Sequence, residues 1–338
     1  MSPPRAPRIG LIGVGRWGKV YIRTLRSLRD RGTLTHLSTS RPEHAELVPH
    51  PVKIMPDWRQ LVQADDCDAV IIATPPHTHA EIVEACLDVG KPCLVEKPFC
   101  LDVATAERLH QRIQASGVPV LVDHTFLFHD AYRALKHAVA AAGEPIRVIV
   151  SEGMALGPFR THTPALWDWC PHDLSLCLDL IGHGPEQVAA LGGPHGPDGA
   201  PEQLSVRLDF PSGACAWIHA GRLSPTKRRN LSVFTDTQLY RFDDLAAEPL
   251  TTAALEASHR DQEGMSAAPT PHSIPLASSR PPMVNVLTYF LEGLAGGGER
   301  RYFNTQLAVD VIRLLARCDA AMRRQDGDSA TVGARSTV

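Results

Sequence analysis

The chain has 338 residues, 43% hydrophobic and 21% charged, which at roughly 150 residues per domain suggests two globular domains with sizeable cores. Its 34 basic and 37 acidic residues nearly cancel, leaving a formal net charge of -3 and no overall field to attract nucleic acid or acidic lipid. No apolar run approaches the roughly 20 residues that cross a bilayer, and Met1 to Arg8 contain no apolar leader core, so the expected setting is cytoplasmic, with no membrane partner.

Residues 1–7 and roughly 325–338 are rich in Pro, Ser, Gly and Asp and read as loose ends. Arg8 to Gly13 reads as a buried strand running into a turn. Lys19 to Arg29 follows as a helix with Tyr21, Leu25 and Leu28 inward and Arg23, Arg26 and Arg29 on a solvated face. Strands are expected at Leu34–Leu37, Ala69–Ala73, Pro92–Val95 and Val118–Val122, with helices at His79–Val89 and Asp102–Ala115, the second started by Asp102. Strands alternating with helices of this length imply right-handed crossovers and a parallel sheet.

The pattern changes near Asp123. A helix from Tyr132 to Ala142 stops at Gly143, and Ile146–Gly153 is a strand. Leu174, Cys177, Leu178 and Ile181 form the inward stripe of a helix that stops at Gly182. Extended stretches then follow without helices between them, at Gln187–Leu191, Gln203–Phe210, Ala214–Ala220, Arg229–Thr235 and Gln238–Phe242, which predicts a largely antiparallel sheet. The polar, Pro-rich segment 251–282 reads as an irregular loop, and helices near Met283–Leu294 and Thr305–Met322 close the chain. The expected division is 1–122, an α/β dinucleotide-binding domain, and 123–338, an α+β domain for substrate binding and oligomerisation.

Gly13-Val-Gly15-Arg16-Trp17-Gly18 is a G-x-G-x-x-G between a predicted strand and a predicted helix. In that context Gly13 permits a tight turn, Gly15 lets backbone approach a pyrophosphate, and Gly18 lets helix and strand pack closely. The helix N-terminus then offers free N–H groups and partial positive charge to the phosphates. NAD binding usually places an Asp or Glu about 20 residues further on. Here the zone reads Leu37-Ser-Thr-Ser40-Arg41, with no carboxylate. Ser40 and Arg41 could hold a 2′-phosphate instead, which favours NADP over NAD. The eight cysteines include no Cys-x-x-Cys and suit a reduced compartment. Cys170, His172 and Cys177 match no common ligand spacing, so no metal is expected.

Three motifs resemble the Gfo/Idh/MocA oxidoreductase family, named for glucose-fructose oxidoreductase and inositol dehydrogenase. They are the glycine motif, Ala73-Thr74-Pro75-Pro-His-Thr-His79 followed by Gly90-Lys-Pro-Cys-Leu-Val-Glu96-Lys97-Pro98, and Trp167-Asp168-Trp-Cys-Pro-His172. The likeness spans nearly the whole chain, and His124-Thr-Phe-Leu-Phe128, Gly157-Pro-Phe-Arg160 and the region from Leu223 to Asp244 look most like sugar and nucleotide-sugar dehydrogenases. It implies a Rossmann domain carrying NAD or NADP, and hydride transfer at a sugar or nucleotide-sugar secondary alcohol. Inositol or a free sugar is the second substrate class. It also implies a homodimer or homotetramer, consistent with an open sheet whose one face a monomer would leave bare.

The resemblance also implies roles. Lys97, beyond a parallel strand's C-terminal end, would stabilise the developing alkoxide. His172 would be general base, and Asp168, four residues earlier, would orient substrate or bias the histidine's charge. Pro171 would fall in the first helical turn. Taken without the family, Asp168 reads equally well as a helix cap and His172 as a packed histidine. Thr74, Pro75, His79, Glu96 and Lys97 would line the cofactor, with Glu96 at the nicotinamide ribose. His124, Arg160 and Trp167 would meet substrate. Cys170 departs from the smaller residue usual in relatives and could narrow the pocket. The competing class is a regulatory protein that binds dinucleotide and sugar without catalysis, and the intact Lys97, Asp168 and His172 argue against it.

Overall fold

The computed structural model describes residues 5–48, 51–159, 163–196, 199–255, 269–297 and 300–333. Two compact units result, one formed by 1–128 with 280–312 and the other by 129–279 with 313–338.

The first unit is built on six parallel strands: β1 (Arg8–Ile12), β2 (Thr33–Ser38), β3 (Lys53–Met55), β4 (Ala69–Ile72), β5 (Cys93–Glu96) and β6 (Val120–Asp123), in the order β3-β2-β1-β4-β5-β6. Four-residue strands such as Ala69-Val-Ile-Ile72 are buried throughout, as a parallel sheet covered by crossover helices requires. Those helices are α1 (Arg16–Ser27), α2 (Trp58–Gln63), α3 (His79–Asp88) and α4 (Val103–Ser116). Asp102 caps α4 by accepting a hydrogen bond from the Thr105 amide, and Gly117 closes it in the left-handed conformation. The strand order reverses at β1, between β2 and β4, and ligands bind at the C-terminal edge of such a switch point.

Residues 280–312 lie with this first unit, where the sequence placed them in the second domain. The reason is aromatic and polar docking of α7 (Pro282–Leu294) and the turn after it. Phe128 meets Tyr289 and Tyr302 edge-on at 5.1 and 5.2 Å, Tyr289 stacks on Phe303, and Asn285 donates to the Phe128 carbonyl. His110 and Thr305 share a 2.8 Å hydrogen bond.

The second unit holds an eight-stranded sheet of β7 (Val148–Leu156), β8 (Gln187–Gly192), β9 (Gln203–Asp209), β10 (Cys215–Gly221), β11 (Leu223–Phe234), β12 (Gln238–Asp243), β13 (Leu250–Ala254) and β14 (His272–Ser273). The order is β14-β13-β12-β11-β7-β10-β9-β8, antiparallel except for β7 with β10. Helices α5 (Asp130–Ala142) and α6 (Ala165–Ile181) pack on it. This is the expected class, a parallel sheet followed by a mostly antiparallel one. Four details differ. β11 starts at Leu223, six residues earlier than predicted. β13 and β14 occupy part of the segment read as loop, of which 256–268 lie outside the described residues. α6 starts at Ala165, so Pro171 sits inside it. Helix α8 (Gln306–Gly333) continues through much of what read as a loose end. Among the described residues no helix is long and apolar enough to cross a membrane, and all eight cysteines are free thiols.

Candidate active site

The turn from β1 into α1 shows three glycines in three surroundings. Gly13 has φ +94, and a Cβ there would lie 2.7 Å from the Ala73 carbonyl oxygen. A Cβ on Gly18 would lie 2.2 Å from the Gly13 carbonyl oxygen, so helix and turn can close only on a bare backbone. A Cβ on Gly15 would meet nothing within 4 Å. Gly15 is exposed, it is the N-cap of α1, and the helix has no side-chain cap and no acid in its first turn. Its leading amides therefore face open space, and this cradle fits a dinucleotide pyrophosphate. Arg16 is exposed beside the half-buried Trp17, its guanidinium carbon 6.0 Å from the ring centre.

Beyond β2, Ser40 and Arg41 are both exposed. The turn is held from inside by Thr39, whose hydroxyl meets His44 Nδ1 at 2.9 Å and accepts from the Arg41 amide at 3.2 Å. No carboxylate stands between Thr39 and Arg41.

At the end of β4, Thr74 is half-buried and its hydroxyl accepts from Thr78 at 2.6 Å, while Pro75 is exposed. His79, expected at the cofactor, is instead fully buried. Its Nδ1 lies 2.9 Å from the Pro98 carbonyl and its Nε2 lies 2.9 Å from the Thr74 carbonyl. Both ring nitrogens are committed to backbone, so His79 braces the Thr74 turn against the Lys97-Pro98 turn, whose peptide is cis.

Glu96 and Lys97 follow directly, at the end of β5. Lys97 is only 8% exposed. Glu96, expected at a ribose, faces inward toward Tyr21 of α1 and Asp123 of β6. Its Oε1 is buried and meets no donor. Burial, with the neighbouring Asp123, pushes Glu96 up to about 8. Next to Asp123 stands His124, buried with both ring nitrogens unpartnered. Burial, with the Lys97 charge, lowers its pKa to about 4, so it is a neutral imidazole at physiological pH. Thus the glycine turn, Thr74, Lys97 and His124 converge at the C-terminal ends of β1, β4, β5 and β6. Sequence reading missed Tyr21 and Asp123 as part of this group. Asp123 carried a signal, a carboxylate ending an otherwise apolar strand. Tyr21 carried none beyond its inward helical position.

In the second unit, Asp168 and His172 lie one turn apart on α6. His172 is buried. Asp168 is paired to Arg222, fully buried at the end of β10, at 3.2 Å. The same guanidinium reaches Glu202 at 3.1 Å and the Thr163 carbonyl at 2.6 Å. Arg222 thereby fixes where the Asp168 carboxylate points. Pro171 has no N–H to offer the carbonyl four residues back, that of Trp167, which is half-buried. Cys170 is wholly buried in the neighbourhood of Cys177 and Cys318, and burial pushes its thiol well up, which makes it a packed core group. Arg160 lies outside the described residues. Among those described, no three His, Cys, Asp or Glu are arranged to hold a metal ion.

Residues 7–124 match the family described as "Oxidoreductase family, NAD-binding Rossmann fold", and residues 157–240 match "GFO/IDH/MocA C-terminal domain". A crystal structure of a protein from Magnetospirillum magnetotacticum MS-1, assigned to the oxidoreductases, is 36% identical, with TM-score 0.82 over 93% of this chain and 99% of that one. The chain belongs to the GFO/IDH/MocA oxidoreductase family. Similar proteins include UDP-N-acetylglucosamine 3-dehydrogenase of Acidithiobacillus ferrooxidans, 28% identical over 67% of this chain and 71% of that one. Myo-inositol 2-dehydrogenase of Thermotoga maritima is also 28% identical, over 64% of this chain and 68% of the relative. The chain is thus an oxidoreductase with an NAD-binding Rossmann fold.

Proposed function

We propose that the protein oxidises a secondary alcohol of a sugar or nucleotide sugar, or reduces the matching ketone, with a nicotinamide dinucleotide. The observation that carries this reading is Lys97, an almost wholly buried ammonium at the strand-end edge where the glycine cradle opens. A buried amine held there suits a substrate oxygen that gains negative charge as the carbon loses hydride. When bound, the dinucleotide supplies a carbon that accepts or returns that hydride. Gly15 and the leading amides of α1 hold its phosphates, with Arg16, Trp17, Thr74 and Pro75 along its length. Lys97 and His172 handle the hydroxyl proton, Lys97 by hydrogen-bonding the oxygen and His172 by accepting the proton. Asp168, fixed by Arg222, orients a substrate hydroxyl, and Trp167 and Arg160 contribute to substrate binding. His124 carries two buried nitrogens without partners, an unfavourable arrangement that a ligand hydroxyl or amide would satisfy.

Nucleotide sugars are the leading substrate class and inositols or free sugars the second, in line with the activities named for the two relatives above. The test is a steady-state screen of these three classes, following absorbance of the reduced nicotinamide with NAD and with NADP. Turnover of one class supports the reading. No turnover of any, by protein shown to bind the dinucleotide, contradicts it and favours a regulatory binding role.

The exposed Ser40 and Arg41, with no carboxylate beside them, favour NADP. Arg41→Ala is expected to raise KM for NADP about tenfold or more while leaving KM for NAD unchanged, since one charge-assisted phosphate contact is lost. Equal effects on both cofactors would remove the argument for NADP.

A further inference from the structure

The first unit also contains ionisable groups that the proposed chemistry leaves unused. Glu96 and Asp123 are register partners, the last residues of β5 and β6, so their side chains leave the same face of the sheet. Glu96 is 5% exposed and Asp123 is wholly buried. Two carboxyls side by side in a low-dielectric interior cannot both be charged, so they keep one proton between them. Hydrogen bonds decide where the charge sits. Asp123 accepts from two hydroxyls, Tyr21 at 2.5 Å on Oδ2 and Thr125 at 2.9 Å on Oδ1. Glu96 has an oxygen that no donor reaches. Donors favour the ionised form, so the charge belongs on Asp123 and the proton on Glu96.

The cation in this group is Lys97, whose charge acts on Glu96, Asp123, His124 of the turn after β6, and His79 of α3. Among the described residues, the titratable groups acting on the pair are Tyr21 of α1 and Lys97. We propose that Tyr21, Glu96 and Asp123 are positioning residues for the reaction: Asp123 carries a buried negative charge close to Lys97, while Tyr21 and a neutral Glu96 keep that charge on Asp123. The proposal rests on the reading of Lys97 as the group that meets the substrate oxygen. Burial raises both carboxyls, Asp123 to about 6 and Glu96 to about 8, so the singly protonated pair spans neutral pH. Below that window Asp123 is protonated as well and the pair carries no charge. Above it Glu96 ionises as well.

Infrared spectroscopy of the full chain across pH reads carboxyl protonation directly and needs no substrate. The native protein is expected to show a buried protonated carboxyl at neutral pH that is absent from Glu96→Gln. In Asp123→Asn the Glu96 midpoint should fall by at least about one pH unit, a tenfold loss of proton affinity, because the adjacent like charge has gone. The same variant should lose about tenfold or more in kcat with its dinucleotide Kd unchanged, and Asp123→Glu should restore part of that loss. A missing Glu96 signal, or an unmoved midpoint in Asp123→Asn, overturns the carboxyl pair. A normal kcat in Asp123→Asn overturns its link to Lys97. If Asp123→Asn does not fold, Tyr21→Phe takes its place: loss of the donor must raise the lower midpoint, and an unmoved one overturns the assignment. A native protein that shows the Glu96 signal yet turns over no carbohydrate supports the pair and refutes the functional reading.

Discussion

Gly15 and Gly18 belong to one turn, yet a side chain would meet opposite surroundings at the two positions. At Gly18 it would run into the Gly13 carbonyl, and at Gly15 it would enter the open space where phosphates are proposed to lie. Gly15→Val, at the N-cap of α1, should therefore still fold, with a stability loss of about 1 kcal/mol, and lose dinucleotide affinity. Gly18→Val should fail to fold or unfold at much lower urea. Calorimetry and urea titration check the pair, and a Gly15→Val protein that binds NAD and NADP normally would contradict the cradle. His79 shows the limit of reading a motif residue by residue. Its place in Thr-Pro-x-x-x-His is visible in the sequence, but its position between the Thr74 and Pro98 carbonyls depends on how separate turns meet.

At the scale of elements, α6 carries Asp168 and His172 on one side, and the end of β10 supplies the arginine that fixes Asp168. Arg222 has no exposed surface and pairs with two carboxylates, so Arg222→Met takes this guanidinium from the buried Glu202 and the half-buried Asp168. Breaking a buried pair in this way costs about 3–5 kcal/mol. Urea unfolding should show it, and a loss below about 1 kcal/mol would mean that Asp168 and Glu202 are held by other groups. Only part of this was legible in advance. The four-residue spacing of Asp168 and His172 was, because a helix maps spacing directly onto one face. Arg222 was not, because its pairing with Glu202 and Asp168 depends on how β9, β10 and α6 come together. The same contrast runs through the fold. Runs such as Ala69-Val-Ile-Ile72 and the Gly143 and Gly182 stops announce their elements, whereas β3, Lys53-Ile-Met55, is three residues long with two exposed and has no apolar pattern to read. β14 is shorter still.

For the whole molecule, the outer face of the second unit's sheet carries Trp217, 39% exposed, with the Arg207 guanidinium stacked 5.2 Å over its ring. An antiparallel sheet with one face uncovered by helices favours self-association, and a homodimer or homotetramer is expected. Light scattering should report it, and Trp217→Asp should shift the protein toward monomer. A monomeric native protein would contradict this expectation. Hydride loss from a carbohydrate carbinol carbon, with Lys97 holding the oxygen, is followed by supplying the substrate found in the screen with deuterium on that carbon. Deuterium is expected on nicotinamide C4 with the native protein, and its loss is expected in Lys97→Met with dinucleotide Kd unchanged. Label transfer at the native rate in Lys97→Met, or reduced nicotinamide that carries no deuterium, would contradict it.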